Sequence, residues 1–195
     1  VGHLGYHHAR IYSQLENAQL VGIVDTDKAN RDKASQDFGV PGMSTVDELL
    51  TLGVDAVSLA VPTTVHFEIA EHLLKAGVDV LVEKPIASTV EQAQAMVDLA
   101  AAEGRVLQVG HIERFNGAIV ALFDAVSRPR FIECHRLSPF PNRGDDVSVI
   151  LDLMIHDLDI VCALDKSEVV SVDAVGVPVL SEQEDIANAR IRFAS

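Results

Sequence analysis

The sequence predicts an α/β fold in which a doubly wound parallel sheet is followed by an α+β domain with a mostly antiparallel sheet. Three observations carry this. From Gly5 to Gly110, short β-branched apolar runs alternate with longer amphipathic segments, the pattern of repeated strand–helix units. The strands are apolar almost throughout, as strands covered on both faces by crossover helices must be. Beyond Gly110 the rhythm changes to helices separated by long alternating runs.

Taken in order, the strands predicted in the first region are Leu20–Val24, Ala56–Val61, Val78–Val82 and Val106–Val109, with helices over 5–14, 27–38, 46–52, 64–76 and 89–103. Thr45 with Glu48 and Ser88 with Glu91 have capping-box spacing, and Gly39, Gly77 and Gly104 stand where helices should stop. We place the first domain at 1–110 and a second at 111–195. The second holds a helix over 113–126, an extended run Phe131–Leu137, a Pro/Gly loop from Pro139 to Gly144, a helix over 148–164 and two strands, Val169–Val179 and Ala187–Phe193. At most three strands are visible there, fewer than a covered open sheet normally has. The chain opens at Val1 without an initiator Met, so the fold is expected to be incomplete at both ends.

Composition removes several function classes. Across 195 residues, 29 acidic side chains oppose 15 basic ones, and the net charge of −14 disfavours sequence-independent binding to a polyanion. No apolar run approaches the ~20 residues of a membrane span. Two cysteines, Cys134 and Cys162, are too few and too distant for a disulfide framework or a zinc knuckle. We therefore expect no nucleic-acid partner, no membrane partner, no metal and a reducing, cytoplasmic setting.

The candidate site residues begin at the amino terminus. Gly2-His3-Leu4-Gly5 ahead of a helical pattern matches the last two glycines of a G-x-G-x-x-G turn, where backbone approaches a pyrophosphate at a helix N-terminus. Asp25 follows twenty residues after Gly5 at the end of an apolar run, where a carboxylate takes both ribose hydroxyls and repels a 2′-phosphate, favouring NAD over NADP. The alternative is an ordinary strand-end Asp that caps the next helix. Glu83-Lys84-Pro85 closes a predicted strand and puts an ammonium at the carboxyl edge of the sheet, with Pro85 holding Lys84 extended. Lys84 could orient a hydroxyl, stabilise an alkoxide or simply pair with Glu83.

In the second domain, Asp152, His156 and Asp159 fall at i, i+4 and i+7 of a predicted helix. That spacing sets an imidazole between carboxylates that can raise its basicity, although a structural capping cluster or a weak metal site has the same spacing. Arg114, Arg128, Arg130, Arg136 and Arg143 crowd the start of this domain, and arginine forks suit a phosphorylated or nucleotide-linked substrate. Solvated surface charge is the alternative for each. His3, His7 and His8 read as solvent- or phosphate-facing.

Together Gly2-x-x-Gly5, Asp25, Ala60-Val61-Pro62-x-x-x-His66, Glu83-Lys84-Pro85, Gly110-His111-x-x-Arg114-Phe115-Asn116 and Asp152-x-x-x-His156-x-x-Asp159 resemble the Gfo/Idh/MocA family of NAD(P)-dependent sugar oxidoreductases. The last two motifs resemble the branch that oxidises UDP-N-acetylglucosamine at C3, a step toward 3-amino sugars of lipid A or surface polysaccharide. The resemblance implies a Rossmann domain and NAD as cofactor. It gives Lys84 the reacting hydroxyl, His156 its proton, and Asp152 the orientation of imidazole or sugar. It also implies Val61, Pro62, His66 and Glu83 along the nicotinamide, Arg114 at the junction of cofactor and substrate, and His111, Asn116, Arg136 and Arg143 among the sugar-nucleotide contacts. A homodimer or homotetramer is implied as well. Two departures stand out: Arg143-Gly-Asp-Asp-Val147 replaces the usual glycine-rich run, and Met154 stands where many members have glycine. Rival readings are a dehydrogenase of inositol or a free aldose, a non-catalytic NAD sensor, and a DNA-binding regulator, the last opposed by the acidic charge.

Overall fold

The computed structural model describes residues 1–139 and 148–195. The chain divides into two compact units, Val1–Gly110 and His111–Ser195.

In the first unit, α1 (His3–Tyr12) leads to β1 (Ile23–Val24), α2 (Lys28–Phe38), β2 (Gly42–Met43) and α3 (Val46–Leu50). There follow β3 (Ala56–Leu59), a 3₁₀ turn at Thr63–Val65, α4 (His66–Lys75), β4 (Asp79–Val82), α5 (Val90–Glu103) and β5 (Leu107–Val109). All pairings are parallel: β1 with β2, and β3–β4–β5 in that order. β2 was not predicted, because two residues between Pro41 and Ser44 carry no periodicity.

Local chemistry explains the boundaries. The capping box Thr45–Glu48 forms as predicted, and Glu48 is held below the usual carboxylate range by the Ser44 N–H. The cap of α5 lies one residue later than predicted, on Thr89, whose hydroxyl accepts from the Gln92 N–H at 3.2 Å. Helices α2 and α5 end on Gly39 and Gly104 at φ 67° and 62°, a left-handed conformation that glycine adopts at little penalty.

Leu73, Leu74, Met96, Val80 and Val82 are fully buried between α4, α5 and the sheet. Removing side chains of this size from water contributes about 1.5–3 kcal/mol each. A smaller cluster, Ala9, Ile23 and Ala34, joins α1 and α2 to β1. In register, Leu59 lies beside Val82, and Val82 beside Val109. The three strands thus end level, and Ala60, Glu83 and Gly110 open the carboxyl edge together.

In the second unit a 3₁₀ turn at Ile112–Phe115 precedes α6 (Gly117–Ala125). A π-helical turn at Ile150–Met154 runs into α7 (Ile155–Leu164), and β6 (Val169–Val177) pairs antiparallel with β7 (Ile186–Phe193). Phe131–Leu137 forms no ladder among the described residues, and Phe131 and Leu137 are exposed. Its alternation had suggested a strand, but alternation without a partner leaves backbone groups to water. The β6–β7 connection is closed by Asp185, whose carboxylate accepts from the N–H groups of Val179, Leu180 and Ser181 at 2.7, 2.5 and 2.9 Å. Those three donors hold its pKa far below the ordinary value. Among the described residues of this unit, Ile160 is the buried hydrophobic, and β6 is exposed along its length.

Candidate cofactor and catalytic site

The amino end of α1 has no side-chain cap and no acidic residue in its first turn, so its free N–H groups and dipole stay available to an anion. A Cβ built on Gly2 meets nothing within 4 Å, which leaves open space over that terminus. Gly5 lies against the sheet: a Cβ there reaches Ala60 Cβ at 3.7 Å, ordinary contact rather than a clash. His3 and Leu4 complete the turn, and both are exposed.

Asp25 stands at the end of β1. The cap of α2 is Asp27, which accepts from the Asn30 N–H at 2.9 Å, so the capping alternative for Asp25 does not hold. Asp25 Oδ1 accepts from the Asp27 N–H at 2.8 Å. Burial pushes its carboxyl upward, and the Asp27 N–H hydrogen bond and the Arg31 charge act the other way. The group is therefore an anion near neutral pH. An uncapped helix terminus with open space above it and a carboxylate at the neighbouring strand end fit a dinucleotide.

At the carboxyl edge, the peptide N–H of Glu83 donates to Leu59 O at 3.0 Å, and that of Gly110 to Val82 O at 2.7 Å. Glu83 Oε1 lies 3.1 Å from His8 Nε2, and its Oε2 accepts from the Lys84 N–H at 3.3 Å. The His8 hydrogen bond holds the Glu83 carboxyl below its ordinary value against burial, aided by the His8 and Lys84 charges. His8 Nδ1 lies 2.5 Å from Ser58 Oγ. His8 is thus turned toward the sheet, and the expectation that it faces solvent or phosphate is corrected.

His66 is 1% exposed. Its Nδ1 lies 3.0 Å from the Pro85 carbonyl oxygen and its Nε2 2.9 Å from that of Val61. Each ring nitrogen faces a backbone carbonyl, and the one that carries the proton donates, so the ring bridges the Val61-Pro62 loop and the Lys84-Pro85 loop, whose joining peptide is cis. The sequence reading had set His66 along the nicotinamide and did not foresee this bracing role.

In the second unit, Arg114 donates to Asp159 in a two-pronged pair, Nε at 2.6 Å and Nη2 at 2.5 Å, and His111 Nε2 lies 3.9 Å from the same carboxylate. Asp159, predicted to flank His156, is engaged by the Arg114 guanidinium and lies near His111. Arg136 donates from Nε and Nη2 to Asp157 Oδ1 at 3.0 and 2.8 Å. Two of the guanidinium forks predicted for phosphate, those of Arg114 and Arg136, are therefore engaged by carboxylates. Asn116 caps α6, its side chain accepting from the Ala118 N–H at 3.0 Å. Asp152 lies in the π turn and His156 in the first turn of α7. A π turn holds one residue more than an α turn, which shifts what precedes it by about 100° and changes the shared face assumed from α spacing. Arg143 and the Arg143–Val147 run lie outside the described residues. The residues that sequence reasoning missed are Ser58, His8 as a partner of Glu83, and Gly110. One signal for His8 was its place three residues after Gly5, on the face α1 turns to the sheet.

A family model described as an oxidoreductase family with an NAD-binding Rossmann fold matches residues 1–111. The chain belongs to the Gfo/Idh/MocA oxidoreductase family. Among curated members, the UDP-N-acetylglucosamine 3-dehydrogenase of Acidithiobacillus ferrooxidans is 41% identical over 190 residues, covering 97% of this chain and 60% of the relative. The myo-inositol dehydrogenase Hyg17 of Streptomyces leeuwenhoekii is 32% identical over 185 residues, covering 90% and 57%. The solved structure of UDP-N-acetylglucosamine 3-dehydrogenase GnnA from Acidithiobacillus ferrooxidans superposes with a TM-score of 0.93 at 40% identity, covering 100% of this chain and 64% of that one. An NAD-binding protein from Listeria innocua gives 0.86 at 26% identity, covering 99% and 61%. This chain thus spans about 60% of the length of these Gfo/Idh/MocA relatives. Among the described residues, no helix is long and apolar enough to cross a membrane.

Proposed function

We propose that the protein is an NAD-dependent dehydrogenase that oxidises a sugar hydroxyl, with C3 of UDP-N-acetylglucosamine or a related nucleotide sugar as its substrate. The observation that carries this reading is the 41% identity to a UDP-N-acetylglucosamine 3-dehydrogenase along 97% of the chain, against 32% for the inositol dehydrogenase.

In this reading Gly2, His3, Leu4 and Gly5 receive the pyrophosphate on the α1 terminus, and Asp25 receives the ribose hydroxyls. A carboxylate already ionised at that place disfavours a 2′-phosphate, so NAD is the cofactor rather than NADP. Val61, Pro62 and Glu83 line the nicotinamide side with His66 bracing them, and the nicotinamide supplies the hydride acceptor. Lys84 hydrogen-bonds the reacting hydroxyl and stabilises its developing alkoxide. His156 removes the hydroxyl proton and Asp152 orients the imidazole. One hydride and one proton leave the carbinol, which becomes a ketone. His111, Arg114, Asn116, Arg136 and Arg143 are assigned to the nucleotide part of the substrate; for Arg114 and Arg136 this means exchanging or sharing their carboxylate partners.

Cytoplasmic location, assembly as a homodimer or homotetramer, and a role in 3-amino sugar supply for lipid A or polysaccharide belong to the same reading. It is tested by NADH formation from NAD with UDP-N-acetylglucosamine and, in parallel, with myo-inositol. Turnover of the nucleotide sugar supports the assignment, and turnover of inositol alone overturns it.

A further inference from the structure

Groups from α1 (His8), β3 (Ser58) and the two residues that follow β4 (Glu83 and Lys84) form one line of polar contacts. A carboxylate only accepts, so at 3.1 Å the His8 Nε2 carries the proton and donates to Glu83 Oε1. The other ring nitrogen, Nδ1, lies 2.5 Å from the Ser58 hydroxyl, which can accept from it or donate to it. On the far side, Glu83 Oε2 accepts from the Lys84 N–H. Both oxygens of the carboxylate are therefore held, one from the helix and one from the peptide of the lysine.

Gly110 completes the arrangement. A Cβ on this residue would lie 2.8 Å from Glu83 Oε1, 3.0 Å from its Cδ and 3.1 Å from Oε2. The carboxylate occupies the space that any other residue would fill, so the seat of Glu83 is built by three strand ends and a helix. Each partner is more than fifteen residues from the next except Glu83 and Lys84, and local secondary structure does not require any of these contacts.

We infer that His8 is a positioning residue for Lys84: held in place by Ser58, it fixes the Glu83 carboxylate, which in turn fixes the backbone that carries the lysine. The inference rests on the dehydrogenase reading for its effect on turnover, but not for its effect on structure. Orientation of a reacting group by a hydrogen-bonded neighbour is worth one to two orders of magnitude in rate when lost.

Two substitutions attack the same seat from opposite sides. His8→Leu removes the donor while keeping an apolar side chain on α1, and Gly110→Ala drives the carboxylate away while leaving His8 intact. In the protein without cofactor, NMR-detected hydrogen exchange of the Lys84 amide is expected to speed up about tenfold in each variant, the effect of losing one typical hydrogen bond. With NAD and UDP-N-acetylglucosamine, kcat is expected to fall about tenfold in each, with KM for the sugar within about twofold. The double variant is expected to be no slower than the worse single, since both act through Glu83. His8→Gln, whose amide N–H can still donate, restores most of kcat. Ser58→Ala, which removes one hydroxyl and no bulk, gives a smaller loss of the same kind.

Unchanged Lys84 exchange in both variants overturns the inference, as does multiplication of the two kcat losses in the double variant. Failure of the unaltered protein to turn over the sugar or to bind NADH by fluorescence counts against the dehydrogenase reading instead, and the exchange measurement still decides the role of His8.

Discussion

Replacing His66 removes the brace between the two loops at the carboxyl edge, and the structure sets the size of the effect. The ring is 1% exposed and faces the carbonyls of Val61 and Pro85 at 2.9 and 3.0 Å. In His66→Phe the volume is retained and the polar partners are lost, leaving buried acceptors unsatisfied at about 1–3 kcal/mol. In His66→Ala a cavity is added, bringing the total to about 3–5 kcal/mol. The chain contains no Trp, and both tyrosines, Tyr6 and Tyr12, belong to the first unit. Tyrosine emission during urea unfolding therefore reports that unit alone. A His66→Phe protein as stable as the original would refute the reasoning, because the two carbonyls would then have no need of the imidazole.

Two further outcomes concern the carboxylates Glu83 and Asp25. Glu83 has a lowered pKa in the folded state, because of the His8 hydrogen bond, so the carboxylate stabilises the fold above the ordinary glutamate value and this contribution fades as pH falls below it. The acid side of the stability curve should accordingly flatten in Glu83→Gln, measured by tyrosine emission at a series of pH values; an equally steep decline contradicts the assignment. Asp25→Ser removes the ionised group assigned to the ribose hydroxyls, and the preference for NAD over NADP in kcat/KM should fall at least about tenfold, equivalent to ~1.4 kcal/mol. An unaltered preference would move cofactor selection away from Asp25.

Much of the first unit was legible because its determinants are local. Apolar runs of β-branched residues gave the strands, Thr45 with Glu48 formed its capping box, and Gly39 and Gly104 ended their helices as their left-handed backbone permits. Asp25 and Lys84 were legible by position, since both terminate strands. What stayed hidden depends on partners distant in sequence. Nothing local announces that His8 meets Glu83, 75 positions on, or that a Cβ on Gly110 would meet the Glu83 carboxylate. The same holds for the pairing of Asp159 with Arg114, 45 residues earlier. The π turn at Ile150–Met154 is equally silent, because its residue types suit an α-helix. Phe131–Leu137 alternates as a strand would, and alternation by itself supplies no partner.

The central claim is that Lys84 and His156 perform proton and charge handling during oxidation of a nucleotide sugar. The most direct measurement is steady-state NADH production from UDP-N-acetylglucosamine and NAD by the unaltered protein, by Lys84→Ala and by His156→Ala, with NADH affinity followed by fluorescence. The account predicts turnover in the first and losses of about 10²–10⁴ in kcat for each variant, with cofactor affinity retained. Variants that oxidise the sugar as fast as the original would contradict it.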